Sequence, residues 1–323
     1  MSQDRAHPIA GVDYPRTLPE FDEWFSSEDA CIEYLRRLRW PEGFRCPVCS
    51  GTKAWATIRG NLRCTSCQRQ TSPTAGTIFE GTRKPLRMWF QAMWHVTCQK
   101  SGGSAMGLRR ALGLGSYQTA WAWLHKLRRA MVRPGRDRLQ GTVEVDETYI
   151  GGLEEGVEGR ETEQKALVGI AVEEDGNGIG RIRLRRIHDA SEGGLHPFVL
   201  AAIKPGSLVH TDGWKGYNGL EIFGYKRKVT VLHQKKNAHV LMPRVHRVAS
   251  LLKRWILGTH QGAISWKHLD YYLDEFTFRF NRRRSGARGM LFYRLLQQAV
   301  ATDPVPYRRM VGGESQTGGN GRV

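Results

Sequence analysis

The stretch Thr142-Val143-Glu144-Val145-Asp146-Glu147-Thr148-Tyr149-Ile150 alternates apolar and polar side chains with the period of a β-strand. Its reading decides the fold, because the texture of the chain changes there. Downstream, residues 166–173 and 180–188 read as two more strands, joined as a hairpin around Asp175-Gly176-Asn177-Gly178. A helix over 191–203, a strand over 206–211, a short helix over 214–221 and a strand over 227–233 follow. Helices over 244–257, 266–282 and 287–300 complete the pattern. The expectation is an α/β domain over 140–300, with a mixed sheet flanked by helices and a flexible tail over 301–323.

Two carboxylates stand out. Asp146 lies in the first strand with Glu144 two residues earlier, hence on the same face. Asp212 ends the next-but-two strand, in His210-Thr211-Asp212-Gly213-Trp214. Aspartates on neighbouring strands can hold Mg²⁺, which takes oxygen ligands. On spacing alone a helix cap explains Asp212 equally well.

Upstream, residues 1–25 look irregular. Ser26 or Ser27 can cap a helix whose first turn carries Glu28 and Asp29, and Trp40-Pro41-Glu42-Gly43 stops it. Cys46-Pro47-Val48-Cys49 and Cys64-Thr65-Ser66-Cys67 stand 14 residues apart, and two such knuckles can place four thiolates around one structural Zn²⁺. The helix and this zinc ribbon define a module over 26–76. Residues 77–135 read as helices, with Ser104–Leu112 and Tyr117–Met131 separated by the turn Gly113-Leu114-Gly115-Ser116. That is the form of a helix-turn-helix, whose second helix enters the major groove. Tyr117, Gln118 and Thr119 would face bases, and Lys126, Arg128 and Arg129 would face phosphates.

Charge agrees with a nucleic-acid partner. The 323-residue chain has 49 Lys and Arg against 31 Asp and Glu, a formal net charge of +18. Between Arg83 and Arg138 twelve basic residues face a single carboxylate, Asp137. Neutralised phosphates release counterions, so such a surplus favours a polyanion. No apolar run reaches the roughly 18–20 residues of a membrane helix, and the N-terminus lacks a signal peptide's apolar core, so no membrane partner and a cytoplasmic, nucleoid-associated location are expected. The acidic stretch 153–164, with Glu154, Glu155, Glu158, Glu161 and Glu163, reads as a solvated excursion.

Four strings then occur in order: Val143 to Gly152, His210-Thr-Asp-Gly-Trp-Lys-Gly-Tyr217, Leu252-Lys-Arg-Trp-Ile-Leu-Gly-Thr-His260, and Tyr272 to Arg282. Together with both Cys pairs they closely resemble the transposases of a group of bacterial insertion sequences that carry an N-terminal zinc ribbon and an RNase H-like, DDE-type catalytic domain. The resemblance spans roughly residues 18–300. It implies a metal-dependent polynucleotidyl transferase using Mg²⁺ or Mn²⁺. Such an enzyme cleaves strands at the element's terminal inverted repeats, joins them to target DNA and works as a homo-oligomer. Asp146 and Asp212 match the first two acids. The third lies seven residues before a basic residue on a helix; with Lys253 as that basic residue, the third position is His246, not an acid. Imidazole is a poor Mg²⁺ ligand and a better one for Mn²⁺. His246 is therefore a metal ligand, a positioner of water or phosphate, or a degenerate position. Glu144 and Glu275 are the carboxylates placed to compensate. Lys253 and its neighbour Arg254 are expected to contact DNA. Glu275, Arg279 and Arg282 share one helical face, as a salt-bridged ladder or a support for the site. Two rivals remain: an inactive DNA-binding protein, favoured by the missing third acid, and a metal nuclease that cuts without joining.

Overall fold

The computed structural model describes residues 7–58, 60–133, 135–151, 165–230, 241–262 and 264–312. The acidic stretch 153–164, the end of the strand expected over 227–233 and residues 313–323 of the tail lie outside them; the described part of the tail, expected to be flexible, contains a helix, Tyr307–Gly312. The chain forms two compact units: Met1–Arg133 with Ser285–Gly312, and Pro134–Arg284 with the remaining tail.

The first unit begins with helices α1 (Leu18–Trp24) and α2 (Glu28–Arg39). The stretch 1–25, expected to be irregular, thus contains a helix. Thr17 caps it, and Phe21 and Phe25, one turn apart, are almost fully buried. Phe21 meets Trp94 and Phe292 at ring-centroid distances of 4.9 and 5.5 Å. Packing of two aromatic rings, rather than helix length, holds this short segment. Strands β1 (Ala54–Ala56), β2 (Leu62–Cys64) and β3 (Gln70–Thr71) form an antiparallel ribbon. Helices α3 (Leu86–Cys98), α4 (Ala105–Leu112) and α5 (Tyr117–Ala130) follow. Ser104 and Ser116 cap α4 and α5, and Gly113 ends α4 in the left-handed conformation at φ 61°. Glu28 accepts hydrogen bonds from the backbone N–H groups of Leu86 and Arg87 at 2.7 and 3.1 Å, which ties the start of α3 to α2.

The second unit is built on β4 (Thr142–Ile150), β5 (Ala166–Asp175), β6 (Gly178–Ile187), β7 (Leu208–Asp212) and β8 (Lys226–Thr230). The order across the sheet is β6-β5-β4-β7-β8. The first three strands form an antiparallel meander, and β7 and β8 run parallel to β4 and to each other. This is an RNase H-like mixed sheet. Alternation gives each face its own core. Val143 and Val145 of β4 pack with α6 (Glu192–Ala202), chiefly Leu195, Phe198 and Val199. On the other face Val168, Ile170 and Val172 of β5 pack with α7 (Pro243–His260) and α8 (Leu269–Asn281). Gly169 lies against Phe198, where an added Cβ would stand 2.8 Å from the ring. After β7 the chain makes 3-10 turns at Lys215–Tyr217 and Leu220–Phe223 instead of one short helix.

The last helices, α9 (Arg288–Val300) and α10 (Tyr307–Gly312), belong to the first unit. Phe292 of α9 packs on Phe21, Phe25 and Phe90. The division at residue 300 therefore gives way to one at Arg284, because the apolar face of α9 is complementary to the N-terminal helices. Among the described residues no helix is long and apolar enough to cross a membrane.

Candidate active site and zinc centre

The two cysteine pairs converge. All four Sγ atoms lie within 4.8 Å of one another, with Cys46–Cys67 at 3.5 Å and Cys49–Cys64 at 3.6 Å. A disulfide needs about 2.05 Å. A tetrahedron of thiolates about 2.3 Å from Zn²⁺ has edges of about 3.8 Å. The backbone builds the two knuckles alike. Ser50 N–H donates to Cys46 O and Gln68 N–H to Cys64 O, and both Ser50 and Gln68 take positive φ, 58° and 61°. Gly51 passes so close that a Cβ would stand 3.2 and 3.3 Å from the Cys64 and Cys49 sulfurs. The residues fit a structural zinc ion.

In the second unit, β4 and β7 pair in parallel with Glu144 opposite His210. Two residues further along each strand stand Asp146 and Asp212, so alternation directs both to the α7 face. Asp212 Oδ1 accepts the N–H of Trp214 at 3.0 Å, a local turn that fixes its carboxylate at the strand end. From α7, His246 brings Nδ1 to 3.7 Å from Asp146 Oδ2. Two ligand atoms each about 2.1 Å from one ion lie at most about 4.2 Å apart, so this pair is within reach of a shared cation.

Glu144 is what puts His246 there. Its carboxylate is 1% exposed. One oxygen accepts the backbone N–H groups of Arg244 and Val245, at 2.9 and 2.8 Å, in the first turn of α7. The other accepts Arg244 Nη1 at 3.0 Å. A helix N-terminus favours a carboxylate through its unpaired N–H groups and dipole. Arg244 is also 3.0 Å from Glu174 and donates to the carbonyls of Gly176 and Gly178. Glu144, Glu174 and His210 hold ligand-type atoms within 4.8 Å of one another, but the Arg244 guanidinium supplies the positive charge there. Glu144 is thus committed to the helix and does not substitute for a third acid.

Glu275 is likewise committed: it is 1% exposed and receives Arg279 Nε and Nη2 at 2.9 and 2.8 Å. Arg282 donates to Phe278 O and lies over the Phe278 ring at 4.1 Å. Lys253 and Arg254 are exposed on α7. Lys253 lines a groove of about 490 Å³ with Tyr149 and Gly151, just beyond the end of β4.

Two residues missed by sequence reasoning adjoin the aspartates. Tyr217, fully buried, donates its hydroxyl to Glu147 at 2.6 Å. Burial, followed by the charges of Glu147, Asp146 and Asp212, pushes this phenol well above its usual range. It remains a donor. Both lie inside the motifs already quoted, so the signal was position within the motif. Arg244 had none, since its partner is 100 residues away.

In the first unit the tip of α5 is open: Tyr117 is 45% exposed and Gln118 is exposed, while Thr119 is partly covered and joined to the Ser116 hydroxyl at 2.9 Å. Arg128 corrects the sequence reading. It is 2% exposed, with Nη1 3.5 Å from His125 Nδ1, because positions 124, 127, 128 and 131 share the buried face of α5. Lys126 is half-buried, 5.9 Å from the Trp89 ring centroid, and Arg129 is half-buried.

Comparison with known proteins agrees with this architecture. Residues 26–70 match a transposase zinc-ribbon domain, and residues 138–281 match an ISXO2-like transposase domain. The chain is also 28% identical over 280 residues to an uncharacterized protein in transposable element ISH50 of the archaeon Halobacterium salinarum, covering 79% of this chain and 91% of that protein. Transposase domains of this kind imply DNA binding and a polynucleotidyl-transferase fold with a divalent-metal requirement. The chain carries, in order, the two domains of insertion-sequence transposases that join an N-terminal zinc ribbon to a DDE-type domain.

Proposed function

We propose that this transposase binds the terminal inverted repeats of its own element, cleaves a strand at each end, and joins the freed 3′-hydroxyls to target DNA. The observation that carries this reading is the approach of His246 to Asp146, with Asp212, like Asp146, two residues beyond the Glu144–His210 pair of the parallel strands. Two carboxylates and an imidazole suit a divalent ion, and the nitrogen ligand favours Mn²⁺ over Mg²⁺. Such an ion, when bound, lowers the pKa of a water or 3′-hydroxyl and stabilises the leaving oxygen. The chain's own residues do the rest. Asp146 and Asp212 present the oxygen ligands, and His246 presents a nitrogen held in place through Glu144. Tyr217 keeps a proton on the hydroxyl that orients Glu147, beside the two aspartates. Lys253 reaches the DNA near the scissile phosphate, supported by Arg254. The exposed tip of α5, Tyr117 with Gln118 and Thr119, contacts bases, and Arg129 contacts phosphate. The zinc ribbon contributes by folding the N-terminal part of the DNA-binding unit. Processing of two ends calls for a dimer or larger assembly.

His246 in place of a third carboxylate supports one second reading, a DNA-binding protein without catalysis. The test is strand cleavage and joining on DNA carrying the element's ends, with Asp146→Asn and Asp212→Asn beside the wild type. The proposal expects joined products from the wild type and none from either variant, with DNA binding kept. Binding without cleavage by the wild type in Mg²⁺ and in Mn²⁺ would establish the second reading. Products that are nicked and never joined would make the protein a nuclease.

A further inference from the structure

A second concentration of charge lies in the catalytic unit away from the aspartates. A cavity of about 240 Å³ opens at β6, the outer strand of the sheet and two strands from β4. Arg183, Arg185 and Arg186 of β6, Arg136 from the segment leading into the sheet, and Asp270 and Asp274 of α8 are among its walls. Four guanidinium groups therefore face two carboxylates. Both carboxylates are matched. Arg186 Nε stands 3.7 Å from Asp270, and Asp274 acts on Arg136.

Arg183 and Arg185 are the residues that this pairing leaves over, and Arg183 is the buried one. It is 6% exposed. Its Nη1 donates to the carbonyl of Ile182 at 2.9 Å and its Nη2 to that of Asp137. Both acceptors are uncharged. Burial, then repulsion by Arg136 and Arg181, outweighs the attraction of Glu173 and Asp137 and pulls its guanidinium down to about 9. Glu173 and Asp137 act on it from a distance, so burial of this cation is only partly offset, and a bound anion would offset it further. A guanidinium fork matches the paired oxygens of a phosphate, and the cavity has room for a tetrahedral anion with several waters at about 30 Å³ each.

We infer that this cavity is a phosphate-binding site, in which Arg136, Arg183 and Arg185 hold one backbone phosphate of bound DNA outside the active centre. The inference rests on the DNA-processing reading above. The phosphate adds negative charge where arginines outnumber carboxylates, and no base is read, so the contact positions the duplex without adding sequence preference.

Arg136→Gln and Arg185→Gln test it, singly and together, since neither removes the buried Arg183 and neither belongs to the candidate catalytic set. Circular dichroism first establishes that each variant is folded. The first arm uses inorganic phosphate alone: it should raise the wild-type melting temperature above that in chloride of equal ionic strength, and the double variant should lose this shift. The second arm uses duplex DNA: the slope of log K against log salt should fall by about 1 in magnitude in the double variant, equally for end and unrelated sequences. Loss of the phosphate shift with an unchanged slope overturns the DNA assignment and gives the cavity to free phosphate. No phosphate shift in the wild type and an unchanged slope overturn the site altogether. If the wild type binds no DNA, the DNA-processing reading fails, and the phosphate arm still decides the cavity.

Discussion

Replacing Glu144 by glutamine removes one negative charge and almost no volume, yet it strikes the contact that seats α7 on the sheet. Glutamine can keep one oxygen on the N–H groups of Arg244 and Val245. Its NH₂ then faces Arg244 Nη1, donor against donor, where the carboxylate accepted at 3.0 Å. Arg244 keeps Glu174, also at 3.0 Å, which limits the damage. A hydrogen bond to a charged group contributes about 1.5–3 kcal/mol, so Glu144→Gln should cost about 2–3 kcal/mol. For a unit of this size that is about 4–12 °C in melting temperature. Glu144→Ala removes all three bonds and leaves Arg244 partly uncompensated, at about 3–5 kcal/mol, a large part of a typical domain's stability. The assay is thermal unfolding followed by circular dichroism, with strand cleavage measured below the transition. Cleavage by Glu144→Gln should fall at saturating DNA while DNA affinity holds, since His246 loses its seat and the DNA contacts do not change. A glutamine variant that melts and cleaves like the wild type would refute the argument that Glu144 positions His246.

Other outcomes follow from the same geometry. A strong chelator should release one zinc per chain and expose residues 44–75 to protease, and Cys64→Ser should mimic this; a ribbon equally resistant without metal would remove zinc from the account. Tyr117→Ala should weaken binding to the element's end, whereas Arg128→Ala should lower the melting temperature and leave the salt dependence of DNA binding unchanged, because Arg128 is buried. Gly169→Ala should cost about 1–3 kcal/mol by driving a methyl into Phe198, read as a lower denaturant midpoint. Glu173 gives a pH signature. Burial raises its carboxyl, but the hydrogen bonds from Arg181 and Gln140 outweigh this and hold it below its ordinary 4.5. Its folded value is the depressed one, so its stabilisation is present above about pH 4.5 and lost as pH falls through the folded value. Arg181→Gln should therefore lower the melting temperature at pH 7, and the difference from the wild type should shrink as the pH falls below about 4.5.

The sheet was legible because strand alternation is local: β4 from Thr142 to Ile150 and the hairpin at Gly176 are where the pattern puts them. The zinc ligands were legible because their spacing is itself the geometry. Helix α1 was hidden, since seven residues carry too little periodicity and its stability comes from Trp94 and Phe292, far along the chain. The place of α9 was hidden for a related reason: amphipathicity says that a face is buried, not against what. Arg128 was misread although the signal existed, as it falls on the same helical face as Leu124 and Leu127. The bond from Glu144 to the start of α7 joins residues 100 positions apart, and one sequence gives no notice of such a pairing.

The claim that matters most is that Asp146, Asp212 and His246 act as one metal-binding set. Its most direct test is the metal dependence of strand cleavage at the element's end, compared for wild type, His246→Ala and His246→Glu in Mn²⁺ and in Mg²⁺. The account predicts a wild type that cleaves better in Mn²⁺, a His246→Glu variant whose preference moves toward Mg²⁺, and a His246→Ala variant that cleaves in neither. A His246→Ala variant that cleaves like the wild type in both metals would contradict it.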